Sequence, residues 1–442
     1  MDRMTVTNAP VDGDQPSAIS PQARTALWAS LVGTTIEWYD FFLYATAASL
    51  VFNRAFFPDQ STFVGTMLSF ATFAVGFLVR PIGGFVFGHI GDRIGRKKTL
   101  ALTMFLMGAA TALMGVLPTA AQIGIMAPIL LLLLRIVQGF ALGGEWAGAI
   151  LLAVEHSPPR RRGLFGSIPQ IGLALGLALG TGVFALLQYT LPDEAFLAYG
   201  WRIAFLLSLV LVVFGVIVRL RASETPAFEQ VRDSGDRATV PLREVFKPPV
   251  LRSTVLGMLS RWGEGAAFNT WGVFAISYAT ATLKLEKVSV LIAVTVAALL
   301  MAALLPVSGM LADRFGAKRV YASGIAAYGL AVFPVFALFD TKNLTFYALG
   351  MLLVFGIIHA WFYGAQGSLY ASLFPARIRY TGLSTVYQLS GVYASGLTPL
   401  ILTALIGAAG GTPWIACGYL VTTAVISVAA TLALKPKPLA EI

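Results

Sequence analysis

Twelve apolar stretches, each about as long as a bilayer is thick, dominate this sequence and restrict what it can become. They run at roughly 24–52, 62–90, 99–118, 122–156, 163–190, 201–220, 252–280, 288–311, 319–339, 344–374, 381–407 and 413–434. A helix needs about 20 apolar residues to cross hydrocarbon. Hydrophobic residues make up 57% of the 442 and charged residues only 12%, against about 25% charged in a globular protein. The expected fold is therefore all-α and membrane-embedded, with twelve transmembrane helices. Trp28, Trp201 and Trp414 stand near stretch ends, where interfacial aromatic belts sit.

The formal charge of +10 has a sidedness that explains it. With alternate loops assigned to opposite faces, one face collects Arg93, Arg96, Lys97, Lys98, Arg160, Arg161, Arg162, the basic residues between 219 and 252, Arg314, Lys318, Arg319, Arg377 and Arg379. The other holds only Arg54, Arg202, Lys284, Lys287 and Lys342. Such asymmetry is the positive-inside rule. It places both termini and the long polar loop in the cytoplasm and removes the reason to invoke nucleic acid. The single Cys417 excludes an internal disulfide and a cysteine metal site. The segment 1–23 has no apolar core and reads as a cytoplasmic tail.

A repeat divides the chain. GHIGDRIGRKK at 88–98 recurs as GMLADRFGAKR at 309–319; Gly88, Asp92, Arg93, Gly95 and Lys97 match Gly309, Asp313, Arg314, Gly316 and Lys318 at one offset, 221. The offset is half the chain. The expected organisation is a six-helix half at 24–220, a cytoplasmic loop at 221–250, a second six-helix half at 251–434 and a short tail at 435–442. Two repeated halves imply a binding site between them near the bilayer midplane.

Polarity inside the apolar stretches falls in helical register. Gly33, Glu37, Asp40 and Tyr44 share one face of the first; Arg135, Gln138 and Glu145 form a stripe on the fourth. Arg261 and Glu264 share a face of the seventh, and His359, Tyr363, Gln366 and Tyr370 a face of the tenth. A charge at bilayer depth costs roughly 2.5 to 3.5 kcal/mol on insertion scales, so Arg135 needs a partner or a wet cavity. In the fifth stretch Gly172, Gly176 and Gly180 form a ridge that lets helices approach.

The loop GDRIGRKK resembles the signature loop of the major facilitator superfamily. RIVQGFALGGEWAGAILLAVEHSPPRRRG, GTTIEWYDFFLYA and RASETPAFEQ resemble its metabolite:proton symporter family, which includes permeases for shikimate, oxoglutarate, citrate and betaine or proline. The likeness covers essentially the whole chain. It implies that the first, fourth, seventh and tenth helices line a central cavity, and that a single chain works by alternating access without a cofactor, the proton being the coupling ion.

On that basis Asp40 is the expected proton site, with Glu37 one turn away able to replace or assist it and Arg135 as its partner. A static pair that fixes helix packing is the competing reading. Arg135 and Arg261 are candidates for a substrate carboxylate, since a guanidinium grips one through two parallel hydrogen bonds. Either could instead be consumed by Asp40 or Glu264, and Arg80, followed by Pro81, is a third candidate. Tyr39 and Tyr363 are expected cavity walls, and Gln138, Asn269, Gln366 and Gln388 hydrogen bonders. His359 is a wall residue or a relay. Asp92, Arg93, Arg96, Glu155, Arg162, Asp313 and Arg314 are expected to form cytoplasmic gating contacts. No phosphate-cradling loop, metal cluster or nucleophile set suggests an enzyme. The seventh-stretch RWGE resembles shikimate-type permeases and tilts the expected cargo toward a small carboxylate. Uptake of a zwitterion such as betaine or proline is the alternative; a channel or exporter is more distant.

Overall fold

The computed structural model describes residues 21–94, 96–155, 157–221, 241–248, 250–375 and 378–436. Backbone amides in lipid must find partners within their own segment, which a helix provides, and the described residues form twelve main helical segments. These are α1 (Pro21–Leu50), α2 (Thr62–Ile94), α3 (Arg96–Val116), α4 (Met126–Glu155), α5 (Arg162–Thr190), α6 (Trp201–Arg221), α7 (250–282), α8 (Lys287–Phe315), α9 (Ala317–Asp340), α10 (Leu344–Ala371), α11 (Arg379–Ala408) and α12 (Trp414–Ala433). Nine of the helices among the described residues are long and apolar enough to cross a membrane. Of the others, α3 contributes the shorter apolar helix Ala101–Val116, α7 is interrupted at Arg261, and α1 carries the polar stripe.

Two details differ from the sequence reading. The fourth span begins at Met126, because Gly124 at φ 59° separates it from a short helix at Ala120–Ile123. Trp201 is no belt residue: it is fully buried among Phe52, Phe56 and Phe205, whereas Trp28 and Trp414 are exposed. Residues 222–240 of the expected central loop lie outside the described residues.

The two sets of six helices meet along α5 with α8 and α2 with α11, joined by α1 with α7 and α4 with α10 and α11. Close approach of α1 to α5 depends on the glycine ridge: a Cβ on Gly176 would lie 2.6 Å from the Trp38 Cβ and 2.7 Å from the Tyr39 nitrogen. Several helices are irregular where they face the centre. A tight 3₁₀ turn at Leu142–Gly144 breaks α4, and wider π-type turns occupy Thr270–Phe274, Tyr278–Thr282, Leu352–His359 and Gly391–Gly396. Such turns inside helices frequently mark functional sites.

Candidate functional site

A small cavity of about 10 Å³, room for about one water molecule, lies between the halves. Trp38, Phe41 and Phe42 of α1, Phe77 of α2 and Leu173 of α5 form one wall; Arg261, Glu264, Phe268 and Asn269 of α7 with Tyr387 and Ser395 of α11 form the other. Ligand pockets typically hold roughly 300 to 1,000 Å³, so this one has to widen to take a cargo.

The charged element of the second wall is an ion pair. Arg261 Nε lies 3.1 Å from Glu264 Oε2, and both side chains are buried. The i, i+3 spacing places them on one face, as their positions in the sequence imply. Arg261 Nη1 donates to the Tyr387 carbonyl at 3.2 Å and to Ser390 Oγ at 3.1 Å, and its guanidinium lies 3.8 Å from the Tyr387 ring centroid. Gln366 donates to Glu264 Oε2 at 3.3 Å. The polar stripe of α10 thus faces α7.

Arg135 of α4 lies against the rings of Phe41 and Tyr44 of α1, but the expected Asp40–Arg135 pair is not formed. Gln138 stands where that contact would be. Its Oε1 accepts from Arg135 Nη1, while its Nε2 donates to the Asp40 carbonyl at 3.2 Å and to Thr111 Oγ1 at 2.9 Å. Arg135 also donates to the Phe73 carbonyl at 3.4 Å and lies over Tyr44, Phe41 and Phe73 at 4.2, 4.7 and 5.0 Å. The Asp40 carboxylate turns toward the hydroxyls of Ser208 and Thr111 instead; it is fully buried and, among the described residues, has no close hydrogen bond and no cation beside it. The physical reason is direction: the Asp40 backbone faces α4, while its side chain faces α3 and α6. Glu37 is buried one turn away and has a contact of its own.

Tyr39 is corrected from cavity wall to packing residue: its hydroxyl donates to the Ala204 carbonyl of α6 at 2.8 Å. Its neighbour Trp38, one 100° helical step round, takes the wall position. Asn269 lines the cavity, its Nδ2 donating to the Gly265 carbonyl at 2.9 Å and its Oδ1 without a partner. Gln388 is corrected to an inter-half contact, donating to the Gly143 carbonyl in the break of α4 at 2.6 Å. His359 is buried behind Phe268, ringed by Phe355, Phe362 and Tyr363 at 4.5 to 5.6 Å, with neither nitrogen bonded. Tyr363 is buried beside it with its hydroxyl unpartnered.

Contacts between the two sets of helices stand at both ends of the molecule. At the basic end, Asp313 on α8 accepts the backbone N–H of Gly163 and Leu164 at 2.6 and 2.9 Å, a carboxylate on the amides that open α5. Arg379 of α11 pairs with Glu155 of α4 at 3.1 Å. Trp146 of α4 stacks on Tyr387 at 3.9 Å and donates to Gln170, whose amide donates on to the Tyr363 carbonyl. At the opposite end Lys287 meets Asp193 at 3.4 Å and Ser49 donates to the Val273 carbonyl at 3.2 Å.

Among the expected gating residues, Asp313 and Glu155 join the halves. Arg314 does not: it is exposed, over Phe315 at 5.2 Å. The Arg162 Nε has no partner. The side chains of Asp92, Arg93 and Arg96 lie outside the described residues. Sequence reasoning missed Arg379, Trp146, Tyr387 and the phenylalanines of the wall. Their signal was weak, since buried aromatics at helical spacing are usually packing.

The family described as Sugar (and other) transporter matches residues 25–275, and that described as Major Facilitator Superfamily matches residues 264–441. The chain is 38% identical over 438 residues to the Shikimate transporter of Escherichia coli (strain K12), covering 98% of this chain and 99% of the relative. It is 39% identical to the Inner membrane metabolite transport protein YhjE of the same organism, covering 90% and 91%. It is 35% identical to the Proline/betaine transporter of Salmonella typhimurium, covering 89% and 80%. Among solved structures, a D-xylose-proton symporter superposes with a TM-score of 0.74 at 18% identity, covering 94% of this chain and 99% of the other. The partially occluded inward-open xylose transporter XylE of E. coli gives 0.73 at 16% identity, covering 93% and 97%.

Proposed function

The chain belongs to the major facilitator superfamily, to its metabolite:proton symporter family, and from that premise we propose that it takes up a small organic anion together with a proton. It is a multi-pass membrane transporter rather than an enzyme. The cargo is a monocarboxylate of shikimate type, bound between the halves at 24–220 and 251–434, with the loop at 221–250 and both termini on the cytoplasmic side of a bacterial inner membrane. One chain suffices.

The observation that carries this reading is the charge arrangement around the cavity. Arg261 has Glu264, but among the described residues Asp40 is buried with no cation beside it and only the Ser208 and Thr111 hydroxyls facing its carboxylate. An uncompensated buried carboxylate is costly as an anion and far less so as the neutral acid. With Asp40 protonated, Arg135 needs only Gln138 and ring faces, and positive charge is left for a substrate anion. Loss of the proton on the cytoplasmic side restores the Asp40 charge, which competes for Arg135 once Gln138 rotates away. One proton and one monoanion cross together electroneutrally, driven by about 1.4 kcal/mol per pH unit.

A zwitterion reading draws support from the aromatic wall of Trp38, Phe41, Phe42, Phe77 and Phe268, the type of surface that holds quaternary ammonium groups. Proteoliposomes carrying the full chain, tested with labelled shikimate, 2-oxoglutarate, citrate, proline and glycine betaine, separate the readings. An acid-outside pH gradient should drive carboxylate accumulation, and preloaded shikimate should accelerate counterflow, as in carriers but not channels. Accumulation of betaine alone, or equal uptake without a pH gradient, rejects the anion symport reading.

A further inference from the structure

Arg80 on α2 is buried, yet among the described residues its Nε and Nη2 have no hydrogen-bond partner. Those two nitrogens are one edge of the guanidinium, the edge that meets a carboxylate side-on through parallel N–H bonds. The group rests over Phe77 at 4.1 Å and Phe41 at 4.4 Å, with Trp38 at 5.7 Å, and all three rings line the cavity. The neighbouring guanidiniums are differently committed. Arg261 spends Nε on Glu264 and Nη1 on Tyr387 and Ser390; Arg135 spends Nη1 on Gln138 and Nη2 on Phe73.

Pro81 follows directly inside the helix. A proline there removes the hydrogen bond to the carbonyl four residues back, which is that of Phe77. The turn carrying Phe77 and Arg80 is thereby loosened where the cavity has to widen.

We propose that Arg80 is the residue that receives the substrate carboxylate, and that it selects anions over ammonium-bearing zwitterions. It covers the Phe41 and Phe77 faces on which a quaternary ammonium would sit, and it repels one. The inference rests on the anion reading above.

The test is calorimetric titration of the purified full-length chain with shikimate, shikimate methyl ester and glycine betaine. Wild type should bind the acid roughly 10- to 100-fold more tightly than the ester, the range for hydrogen bonds to a charged group. Arg80→Gln should weaken acid binding by a similar factor, leave ester binding unchanged, and bring the acid-to-ester ratio near one. Arg80→Lys keeps the charge but lacks the fork, so its ratio should fall part-way, which also serves if the glutamine variant does not fold. An unchanged ratio in either folded variant overturns the role of Arg80 while leaving the anion reading intact. Wild type that binds betaine and neither shikimate form overturns both.

Discussion

Tyr387 of α11 lies flat on Trp146 of α4, ring centroids 3.9 Å apart and planes 14° apart. Arg261 sits 3.8 Å from the same Tyr387 ring, and two groups so close to one ring must take opposite faces. The stack therefore links a charge in the cavity wall to an inter-half contact at the basic end. An aromatic pair contributes about 0.5 to 1.5 kcal/mol beyond area burial, so Trp146→Ala should shift the closed-to-open balance roughly 2- to 12-fold. A cysteine replacing Ser395 of the cavity wall, in a Cys417→Ser background, reports it. Labelling by a bulky maleimide from the basic side should quicken; an unchanged rate removes the gate role.

Asp40→Asn should abolish pH-driven accumulation while counterflow persists, because exchange needs no net proton movement. Transport by the proteoliposomes with and without a pH gradient reads both. Concentrative, pH-dependent uptake by the variant would reassign the proton to another group, Glu37 first.

Glu264→Gln leaves Arg261 buried without its counterion. Removing one partner of a buried pair costs about 3 to 5 kcal/mol, so the variant should melt at a clearly lower temperature. Arg261→Gln added to it should restore part of the loss, and a double-mutant cycle measures the coupling. Equal melting temperatures for the single and double variants would mean that the pair is not the stabilising unit.

The two inter-half contacts at the basic end should differ in weight. Glu155 is half exposed in its pair with Arg379, and such pairs contribute about 0 to 1 kcal/mol. Asp313 holds two backbone amides of α5. Asp313→Asn should therefore open the basic end more than Glu155→Gln does, measured by the same Ser395→Cys labelling. The reverse ranking would place the main latch at Arg379.

Much of this architecture is legible in the residues. The twelve apolar stretches have bilayer length, and the described residues form twelve main helical segments. Arg261 and Glu264, three apart, could hardly avoid each other, and the α10 stripe needed a polar neighbour. Side-chain direction was not legible. The stripe of α1 gave the face shared by Glu37, Asp40 and Tyr44, yet a period of 3.6 does not say that Asp40 points to α3 and α6 while its carbonyl points to α4. Gln138 was read as a hydrogen bonder, but its place between Asp40 and Arg135 depends on three helices at once. Tyr39 and Trp38 exchanged roles through one helical step. Arg379 was hidden because a basic residue beside a loop looks like topology, and only the packing of α11 on α4 turns it into a pair.

Close approach of Gly176 to the Tyr39 nitrogen and the Thr35 carbonyl fixes the α1 main chain behind one bank of the cavity, so that bank can change only through the side chains it presents. A change in accepted cargo must then come from side chains, at Phe77 beside Arg80 on that bank and at Asn269, Phe268 and Ser395 on the facing one. Libraries built to redirect this transporter to a new cargo belong there, and Gly176 is the position to leave alone.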